Sequence, residues 1–245
     1  MTSHPPAQCC TIGVKHEGEA VGEIKNVGDT PTYFSYPKDK STHNAVLILT
    51  DVIGHEFINV QLIADQFAAN GYLVVMPDLF HGDPLPLNRP ADHDFMGWLN
   101  KHPTSRVEPV IEATLKHMRG ELGCKAIGGV GYCFGGKYVA RWLKKGKLDA
   151  GYTAHPSFME ADELRGIEGP LSIAAAETDS IFPAEKRHET EEILHKMSVP
   201  YQINLFSGVE HGFAVRAEID NKEKRFAKEQ AFYQAVQWFD AYVKA

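Results

Sequence analysis

From Ala45 onward, short runs of apolar residues alternate with longer segments in which apolar and polar residues are mixed. The short runs have the length of buried strands, and the mixed segments place apolar residues three and four positions apart, as a helix with one buried face requires. We predict strands at Ala45–Thr50, Tyr72–Met76, Lys125–Gly131, Ala150–Ala154, Leu171–Ala175 and Tyr201–Phe206, and helices at Glu56–Asn70, Arg106–Arg119, Gly135–Lys145, Ala184–Met197 and from Lys222 onward. This alternation is typical of an α/β fold with a mainly parallel central sheet flanked by helices on both faces.

Two segments depart from the alternation. Residues 19–36 have the pattern of an antiparallel hairpin with Gly28 and Asp29 at its turn, so that 1–44 forms an N-terminal extension and hairpin. Residues 82–105 are rich in Pro, Asp and Asn and show little periodicity. They are either an irregular connection or a lid or pocket wall. With no internal repeat, we expect one domain over 1–245.

Composition narrows the functional classes. Hydrophobic residues make up 43% of the chain and charged residues 23%, as in ordinary globular proteins. The net charge of -7 and the absence of a basic run argue against nucleic-acid binding. No apolar stretch has the length of a membrane span and none follows Met1 as a signal peptide would, so we expect no membrane association and a cytoplasmic location. The four cysteines (Cys9, Cys10, Cys124 and Cys133) form no disulfide framework, and we expect no cofactor.

The segment Gly131–Gly136 (GYCFGG) has the pattern of a nucleophile elbow, G-x-S-x-G, with Cys133 in place of the serine. It follows a predicted strand and opens a predicted helix. An elbow holds its nucleophile in a strained turn, and glycines two positions before and after it avoid clashes with the neighbouring strand and helix. The helix N-terminus would lower the thiol pKa and stabilise an oxyanion. We predict that Cys133 is a nucleophile; the alternative is a small buried cysteine in a glycine-rich turn.

An acid and a base follow Cys133 in the order that this type of site uses. Asp179 comes after the predicted strand Leu171–Ala175, with Glu177 as the alternative acid. His211 comes after the last predicted strand, in a loop flanked by small residues. We predict that Asp179 orients His211 and that His211 transfers protons; the alternatives are a turn or cap residue and a loop histidine without a task.

With these motifs the chain resembles the dienelactone hydrolase family, whose members use Cys, Asp and His in an α/β-hydrolase fold. The resemblance begins at about Tyr33, and Cys9-Cys10 and Ala154–Ser157 look most like fungal members. The segments that carry it are Thr50–Gly54 (TDVIG), Met76–Phe80 (MPDLF), Gly131–Gly136 (GYCFGG), Ala176–Asp179 (AETD) and His211–Ala214 (HGFA).

The resemblance implies further roles at the reacting end of the site. The backbone N–H groups of Val52 and Phe134 would form the oxyanion hole. Asp51 lies where bacterial members carry a glutamate that contacts the resting thiol, so it is the candidate thiol-contacting acid; the alternative is an ordinary loop carboxylate at a strand end.

The resemblance also bears on the substrate. Bacterial members hold a substrate carboxylate with two arginines, and this chain has His81-Gly82-Asp83 in the region of one and Val215 at the place of the other. Arg216, one position further on, and His81 are the candidates to bind substrate instead. His155 either lines the pocket or is a structural histidine. His55, His81, His155 and His211 are too dispersed for a metal site, and we expect none.

These expectations describe a hydrolase that cleaves a lactone or an activated carboxylic ester through an acyl-enzyme on Cys133. Its partner would be a small-molecule ester or lactone, and the protein would be a monomer or a small homo-oligomer. Two other functions remain open from the sequence. One is acyl transfer or thioester release in a biosynthetic pathway, and the other is a catalytically silent, redox-responsive binding protein in which Cys133 is an oxidisable thiol.

Overall fold

The computed structural model describes residues 1–90 and 92–244. Eight strands within these residues form one sheet: β1 (Glu23–Val27), β2 (Thr30–Ser35), β3 (Asn44–Leu49), β4 (Leu73–Pro77), β5 (Ala126–Tyr132), β6 (Ala150–Ala154), β7 (Leu171–Thr178) and β8 (Tyr201–Glu210). Their order across the sheet is β1-β2-β4-β3-β5-β6-β7-β8. The pairs β1–β2 and β2–β4 are antiparallel, and all the others are parallel. The central strands are buried on both faces, which explains their continuous apolar runs.

Eight α-helices connect or flank these strands in the described part of the chain: α1 (Ile58–Ala69), α2 (Phe95–Lys101), α3 (Thr104–Gly120), α4 (Gly135–Trp142), α5 (Ala161–Arg165), α6 (Ala184–His195), α7 (Phe213–Arg216) and α8 (Lys222–Tyr242). None of them is both long and apolar enough to cross a membrane. Successive side chains on a strand point to opposite faces of the sheet. A Cβ on Gly128 of β5 would meet Phe239 of α8, whereas one on Gly131 would meet the start of α4. Helices thus cover both faces, and the predicted fold class is confirmed.

All six predicted strands are present, and the predicted hairpin is formed by β1 and β2. Val27 pairs with Thr30, leaving Gly28 and Asp29 at the turn, with Gly28 at a φ of 59°. The largest difference at a strand end is in β8, which continues past the predicted end at Phe206 because it pairs with β7 across an irregularity. Helices α5 and α7 are too short to show a period, and neither was predicted.

The described part of 82–105, which is 82–90 and 92–105, is less irregular than its composition indicates. It contains α2, whose first turn is capped by the Asp94 carboxylate accepting from the Gly97 amide. Trp98 of this helix is buried, and its ring centroid lies 5.2 Å from that of Phe80 and 6.4 Å from that of Phe134. The segment therefore packs against the residue that comes directly after Cys133. Whether it acts as a lid stays a prediction.

The parallel strands end at a common edge of the sheet, and the predicted site residues follow them there. Asp51 comes after β3, Cys133 after β5, Asp179 after β7 and His211 after β8. In α/β proteins this carboxyl edge is where ligands bind, because loops from strands far apart in sequence meet at it.

Residues 1–16, which we call the N-terminal strap, lie across the same edge. The strap contains a short 3-10 helix at Gln8–Thr11. Its backbone amides donate to groups on four separate elements: Thr2 to the Met159 carbonyl (2.8 Å), His4 to the Ile181 carbonyl (2.7 Å), Val14 to the Arg216 carbonyl (3.1 Å) and His16 to Asn59 Oδ1 (2.7 Å). The strap therefore connects the loops that surround Cys133.

Candidate active site

Cys133 lies at the elbow between β5 and α4. Its φ is 48°, a left-handed conformation that is strained for a residue with a side chain. Gly131 and Gly135 make the turn possible. A Cβ on Gly131 would lie 2.7 Å from the Gly135 carbonyl oxygen, and one on Gly135 would lie 1.9 Å from the Leu49 carbonyl oxygen of β3. The structure thus places Cys133 in the elbow geometry that the glycine spacing predicted.

Asp179 and His211 are brought together at the ends of β7 and β8. Asp179 is buried, and its Oδ1 accepts hydrogen bonds from the Ile181 amide (2.8 Å) and the Phe182 amide (3.0 Å). His211 Nδ1 lies 2.9 Å from Asp179 Oδ2, so a buried carboxylate holds this side of the imidazole. The alternative acid, Glu177, is exposed and accepts from the Gly208 amide instead. The geometry favours Asp179 over Glu177.

Two backbone amides beside Cys133 are free to bind an oxyanion. The Gly135 amide donates to the Thr50 carbonyl (3.1 Å) and the Ile53 amide to Asp51 Oδ1 (3.0 Å), which fixes both loops. Within the described residues, the Val52 and Phe134 amides donate to no acceptor. Buried N–H groups are rarely left without a partner, so two such donors flanking a candidate nucleophile are suited to a developing negative charge.

Cys10 of the strap is the residue that the sequence interpretation missed. Its Sγ lies 3.4 Å from His211 Nε2, and its side chain is fully buried. The sulfur atoms of Cys10 and Cys133 and Nε2 of His211 all lie within 4.8 Å of one another. The Cys133 thiol is directed at Ser157 Oγ, 3.6 Å away. The cysteine pair near the N-terminus pointed to fungal relatives, but nothing local in the sequence indicated that Cys10 reaches the site.

These three groups, Cys10, Cys133 and His211, are also donors that a metal ion accepts. The four histidines considered from the sequence do not form such a group. Cys10, Cys133 and His211 come from distant parts of the chain, and His211 is the one residue that they share with those four histidines.

The charges around the sulfur favour a thiolate. Burial by itself would raise the pKa of Cys133, but a hydrogen bond from Cys10, the charge of His211 and the charge of Arg216 lower that pKa well below its usual range. Burial likewise opposes a charge on His211, yet the Cys133 thiolate and the Asp179 carboxylate raise the pKa of His211 to about 10. These shifts favour a thiolate on Cys133 beside an imidazolium on His211.

The structure places Asp51 beside Arg216. Its Oδ2 pairs with Arg216 Nη1 and its Oδ1 accepts from the Ile53 amide, and contact of Asp51 with the thiol stays a prediction. The side chains of Asp51 and Arg216 are 2% and 1% exposed. A carboxylate buried beside a guanidinium is stabilised by that charge, which explains why it turns toward Arg216. Asp51 shapes the loop that carries the Val52 amide.

The three candidate substrate-binding residues occupy different environments. Arg216 is engaged by Asp51, and its Nε donates to the Ile12 carbonyl of the strap (3.1 Å). His81 is exposed, and its Nε2 lies 3.3 Å from the Arg106 carbonyl oxygen. His155 is fully buried, with its ring centroid 5.0 Å from that of His211. Contact of any of these with a substrate stays a prediction.

His155 is neutral in this setting. Burial, together with the charges of His211 and Arg216, lowers the pKa of His155 well below its usual range. A neutral ring packed edge-on against His211 restricts the position of the catalytic candidate without competing for its charge.

The site is closed in this structure. Cys133 has no exposed surface, and His211 is only 6% exposed. A cavity of about 460 Å³ lies beside it, lined by residues of the strap, of the turn after β8 and of α7 and α8; among them are Cys9, Val14, His211, Arg216 and Lys224. This cavity reaches His211 but not Cys133, so the strap separates it from the sulfur.

Comparison with known proteins agrees with this geometry. Residues 30–243 match the family model described as the dienelactone hydrolase family. The chain is 59% identical over 244 residues to hydrolase pyvD of Aspergillus violaceofuscus, covering 100% of both. It is 54% identical over 252 residues to hydrolase tropI of Talaromyces stipitatus, covering 100% of this chain and 99% of the relative.

A solved structure shows the same fold at much lower identity. A dienelactone hydrolase-like promiscuous phosphotriesterase from metagenomic libraries matches with a TM-score of 0.71 and 14% identity, covering 90% of this chain and 97% of the other. The matched range 30–243 contains every predicted site residue, and the family consists of hydrolases of small esters and lactones. The chain therefore belongs to the dienelactone hydrolase family and is a carboxylic ester hydrolase with an α/β-hydrolase fold.

Proposed function

We propose that the protein cleaves a lactone or an activated carboxylic ester through a thioester on Cys133, with His211 as acid and base and Asp179 as its orienting partner. The position of the Cys133 sulfur carries this proposal. It lies at a strained elbow at the start of α4 and within 4.8 Å of an imidazole nitrogen.

In the first half of the reaction, the thiolate of Cys133 adds to the carbonyl carbon of the substrate. The negative charge that develops on the carbonyl oxygen is stabilised by the amides of Val52 and Phe134. The bond from the carbonyl carbon to the leaving oxygen then breaks, and that oxygen takes the proton of the His211 imidazolium. The products are a thioester on Cys133, an alcohol or enol, and a neutral His211.

In the second half, neutral His211 accepts a proton from water while the water oxygen adds to the thioester carbonyl. Asp179 stabilises the imidazolium that forms again. The carbon–sulfur bond breaks, the acid is released, and Cys133 returns to the thiolate. Asp179 is suited to this role because its carboxylate is buried and accepts hydrogen bonds from two backbone amides and the imidazole.

The thiolate also limits the range of substrates. A thiolate leaves a tetrahedral intermediate more readily than an alkoxide does, so the intermediate formed from a plain alkyl ester returns to substrate. Enol esters, lactones of enols and aryl esters have better leaving groups and go forward. The charge of Arg216 is already balanced by Asp51. We therefore propose that a carboxylate on the substrate is not required for binding.

The test uses p-nitrophenyl acetate and a neutral enol lactone with wild-type protein, Cys133→Ala and Cys124→Ser. Cys124 is the matched control, since it is also buried but precedes β5, at the opposite end from the elbow. We expect no turnover by Cys133→Ala and turnover close to wild type by Cys124→Ser. Acid quenching during turnover should leave the acetyl group on the tryptic peptide 126–137, which contains Cys133.

Two results would contradict the proposal. Undiminished hydrolysis by Cys133→Ala is one. The other is an acetyl group on the peptide 1–15, which would transfer the nucleophilic role to the strap, where Cys10 is in contact with His211.

A further inference from the structure

The strap brings a second thiol to the proposed nucleophile. Residues 1–16 precede the range 30–243 that matches the family model, and Cys10 lies among them. Its place is fixed by several contacts. The Ala7 amide donates to Cys10 Sγ (3.3 Å), and Asn88 exchanges hydrogen bonds with Thr11 and Gly13 on the following turn. The thiol is held beside His211 by its own surroundings.

The two sulfurs are close enough to bond after a side-chain rotation. Cys10 Sγ and Cys133 Sγ lie within 4.8 Å of each other, and a disulfide needs about 2.05 Å. Both side chains are fully buried, and all four cysteines are free thiols in this structure. Cys133 is directed at Ser157 and Cys10 at His211, so neither sulfur is committed to a stronger bond.

Cys9 is a poorer partner for either sulfur. Its Sγ lies 3.8 Å from Ser180 Oγ, and Cys9 is not in the group of side chains, Cys10, Cys133 and His211, whose ligand atoms all lie within 4.8 Å of one another. A bond between Cys9 and Cys10 would join neighbouring residues, whose Cα atoms are about 3.8 Å apart, whereas disulfides usually span about 4.4 to 6.8 Å. The geometry thus selects Cys10 as the partner of Cys133.

The two thiols also differ in charge state, as an oxidisable pair requires. The pKa of Cys133 is lowered well below its usual range, which provides a thiolate. Burial, with the neighbouring thiols, raises the pKa of Cys10 well above its usual range, so Cys10 keeps its proton. One sulfur can therefore attack while the other stays protonated beside His211.

We propose that Cys133 and Cys10 form a dithiol that a small hydroperoxide oxidises to a disulfide. In the first step the Cys133 thiolate attacks one peroxide oxygen and the O–O bond breaks; the leaving hydroxide or alkoxide takes the proton of the His211 imidazolium, which leaves a sulfenic acid on Cys133, water or an alcohol, and neutral His211. In the second step neutral His211 accepts the proton of Cys10, and the Cys10 thiolate attacks the sulfenic sulfur. The S–O bond breaks, and the leaving hydroxide takes that proton from His211 and departs as water.

The two-electron oxidation has two consequences for the site. The sulfur that would attack an ester is occupied, so hydrolysis stops. The strap is also joined covalently to the elbow between β5 and α4, which keeps the site closed. Attack of a dithiol reductant on the disulfide restores both thiols, and the sulfenic acid is diverted from irreversible oxidation to sulfinic acid.

The experiment measures the bond itself rather than activity. Reduced wild-type protein freed of reductant is exposed to a small excess of hydrogen peroxide, alkylated, digested with trypsin without reduction and analysed by mass spectrometry. We expect the peptide 1–15 joined to the peptide 126–137, with the loss of two hydrogens. Because the peptide 1–15 contains both Cys9 and Cys10, the same digestion is carried out on Cys9→Ser and Cys10→Ser.

The two variants are matched, since they remove adjacent thiols. Cys9→Ser is expected to retain the cross-link. Cys10→Ser, whose hydroxyl still offers an acceptor to the Ala7 amide, is expected to lose it and to accumulate two oxygens on Cys133 instead. Circular dichroism and urea unfolding establish that each variant is folded. If Cys10→Ser does not fold, Cys10→Ala takes its place.

Other outcomes overturn the proposal. They are a cross-link from Cys9 to Cys133, a bond confined to Cys9 and Cys10, and equal accumulation of sulfinic acid in wild-type protein and in Cys10→Ser. The measurement needs no substrate, so it is separate from the proposed hydrolysis. A protein that forms the cross-link but cleaves no ester contradicts the proposed function alone, and an active esterase without the cross-link contradicts the dithiol alone.

Discussion

The buried pair of Asp51 and Arg216 gives a prediction about stability. It separates the contribution of the pair to folding from the thiol contact expected of Asp51 and the substrate binding expected of Arg216. The perturbation is Asp51→Asn. Asparagine keeps an oxygen for the Ile53 amide, so the loop that carries Val52 retains its hydrogen bond. It removes the negative charge that faces the Arg216 guanidinium and can place an N–H group there instead.

The expected loss of stability arises from the surroundings of the guanidinium. Its side chain is 1% exposed, its Nε donates to the Ile12 carbonyl, and its Nη2 has no partner within the described residues. Without Asp51 the positive charge has no counter-charge in direct contact. Removing one member of a buried pair costs about 3–5 kcal/mol, because the other charge stays desolvated. We expect Asp51→Asn to lose about that much free energy of unfolding.

The measurement is equilibrium unfolding in urea at pH 7, followed by tryptophan fluorescence and circular dichroism. For a slope of about 3 kcal/mol per molar urea, a loss of about 3–5 kcal/mol lowers the midpoint by about 1–1.7 M. The matched control is the double variant Asp51→Asn with Arg216→Met. It removes both charges and keeps the side-chain volume, so its stability should return to the wild-type value or exceed it.

Two results would refute this reasoning. A loss below about 1 kcal/mol in Asp51→Asn would mean that the guanidinium is solvated and that the pair behaves like one at the surface. A double variant no more stable than Asp51→Asn would mean that the carboxylate acts through some other contact. If Arg216 holds a substrate carboxylate, the double variant raises KM for a carboxylated ester but not for its neutral analogue.

Three further predictions concern the site itself. Asp179→Asn should lower kcat on the order of 10³–10⁴-fold in an ester assay, because the amide favours the wrong His211 tautomer; a loss below tenfold would contradict this role. Gly135→Ala should cost about 3 kcal/mol or more in urea unfolding, since its Cβ would lie 1.9 Å from a β3 carbonyl oxygen, whereas Gly120→Ala has open space. In unfolded protein His211 loses its proton near pH 6.5 and Cys133 near pH 9.0; in the folded site the pKa of His211 is about 10 and that of Cys133 is lowered. Folded and unfolded forms of the pair therefore bind equal numbers of protons between pH 6.5 and 9.0. Both proteins carry Cys9→Ser, since a hydrogen bond with Cys10 and the charge of His211 lower the pKa of Cys9 to about 6. In that background the stability relative to a Cys133→Ser, His211→Gln variant should be constant in this interval and fall on either side, and a slope inside it would contradict the thiolate–imidazolium pair.

The elbow at Cys133 and the proximity of Asp179 and His211 could be predicted because each depends on a local requirement. Gly131 and Gly135 are needed because β5, α4 and β3 approach one another closely at the elbow. In the structure a Cβ on Gly131 would clash with the start of α4, and a Cβ on Gly135 would clash with β3. Asp179 and His211 each come directly after a strand, and the loops at the carboxyl ends of parallel strands meet at one edge of the sheet. Chain order and strand ends were therefore enough to bring these residues together.

The contact of Cys10 with His211 and the pairing of Asp51 with Arg216 join distant segments, and neither hydrophobic periodicity nor a sequence motif predicts such contacts. Cys10 and His211 are 201 positions apart, and Asp51 and Arg216 are 165 apart. The pairing of Asp51 with Arg216 could not be predicted, because the family position fixes where the residue lies and not which of its neighbours carries the stronger charge. Arg216, one position away from the family's arginine, supplies that charge from α7.

The strap sets a condition on turnover that the elbow alone does not. Cys133 has no exposed surface and Cys10 occupies the space beside His211, so an ester reaches the sulfur only after Cys10 and its neighbours move. The apparent substrate affinity is then reduced by the fraction of molecules that are open. Terminal segments held mainly by backbone hydrogen bonds open at a free energy below that of global unfolding, and a substrate that fills the vacated space recovers part of that cost. A disulfide to Cys10 removes the open state altogether, because opening would then require breaking a covalent bond. Cys10 and its neighbours in the strap, which lower the rate of hydrolysis in the reduced protein, would thus stop hydrolysis in the oxidised protein.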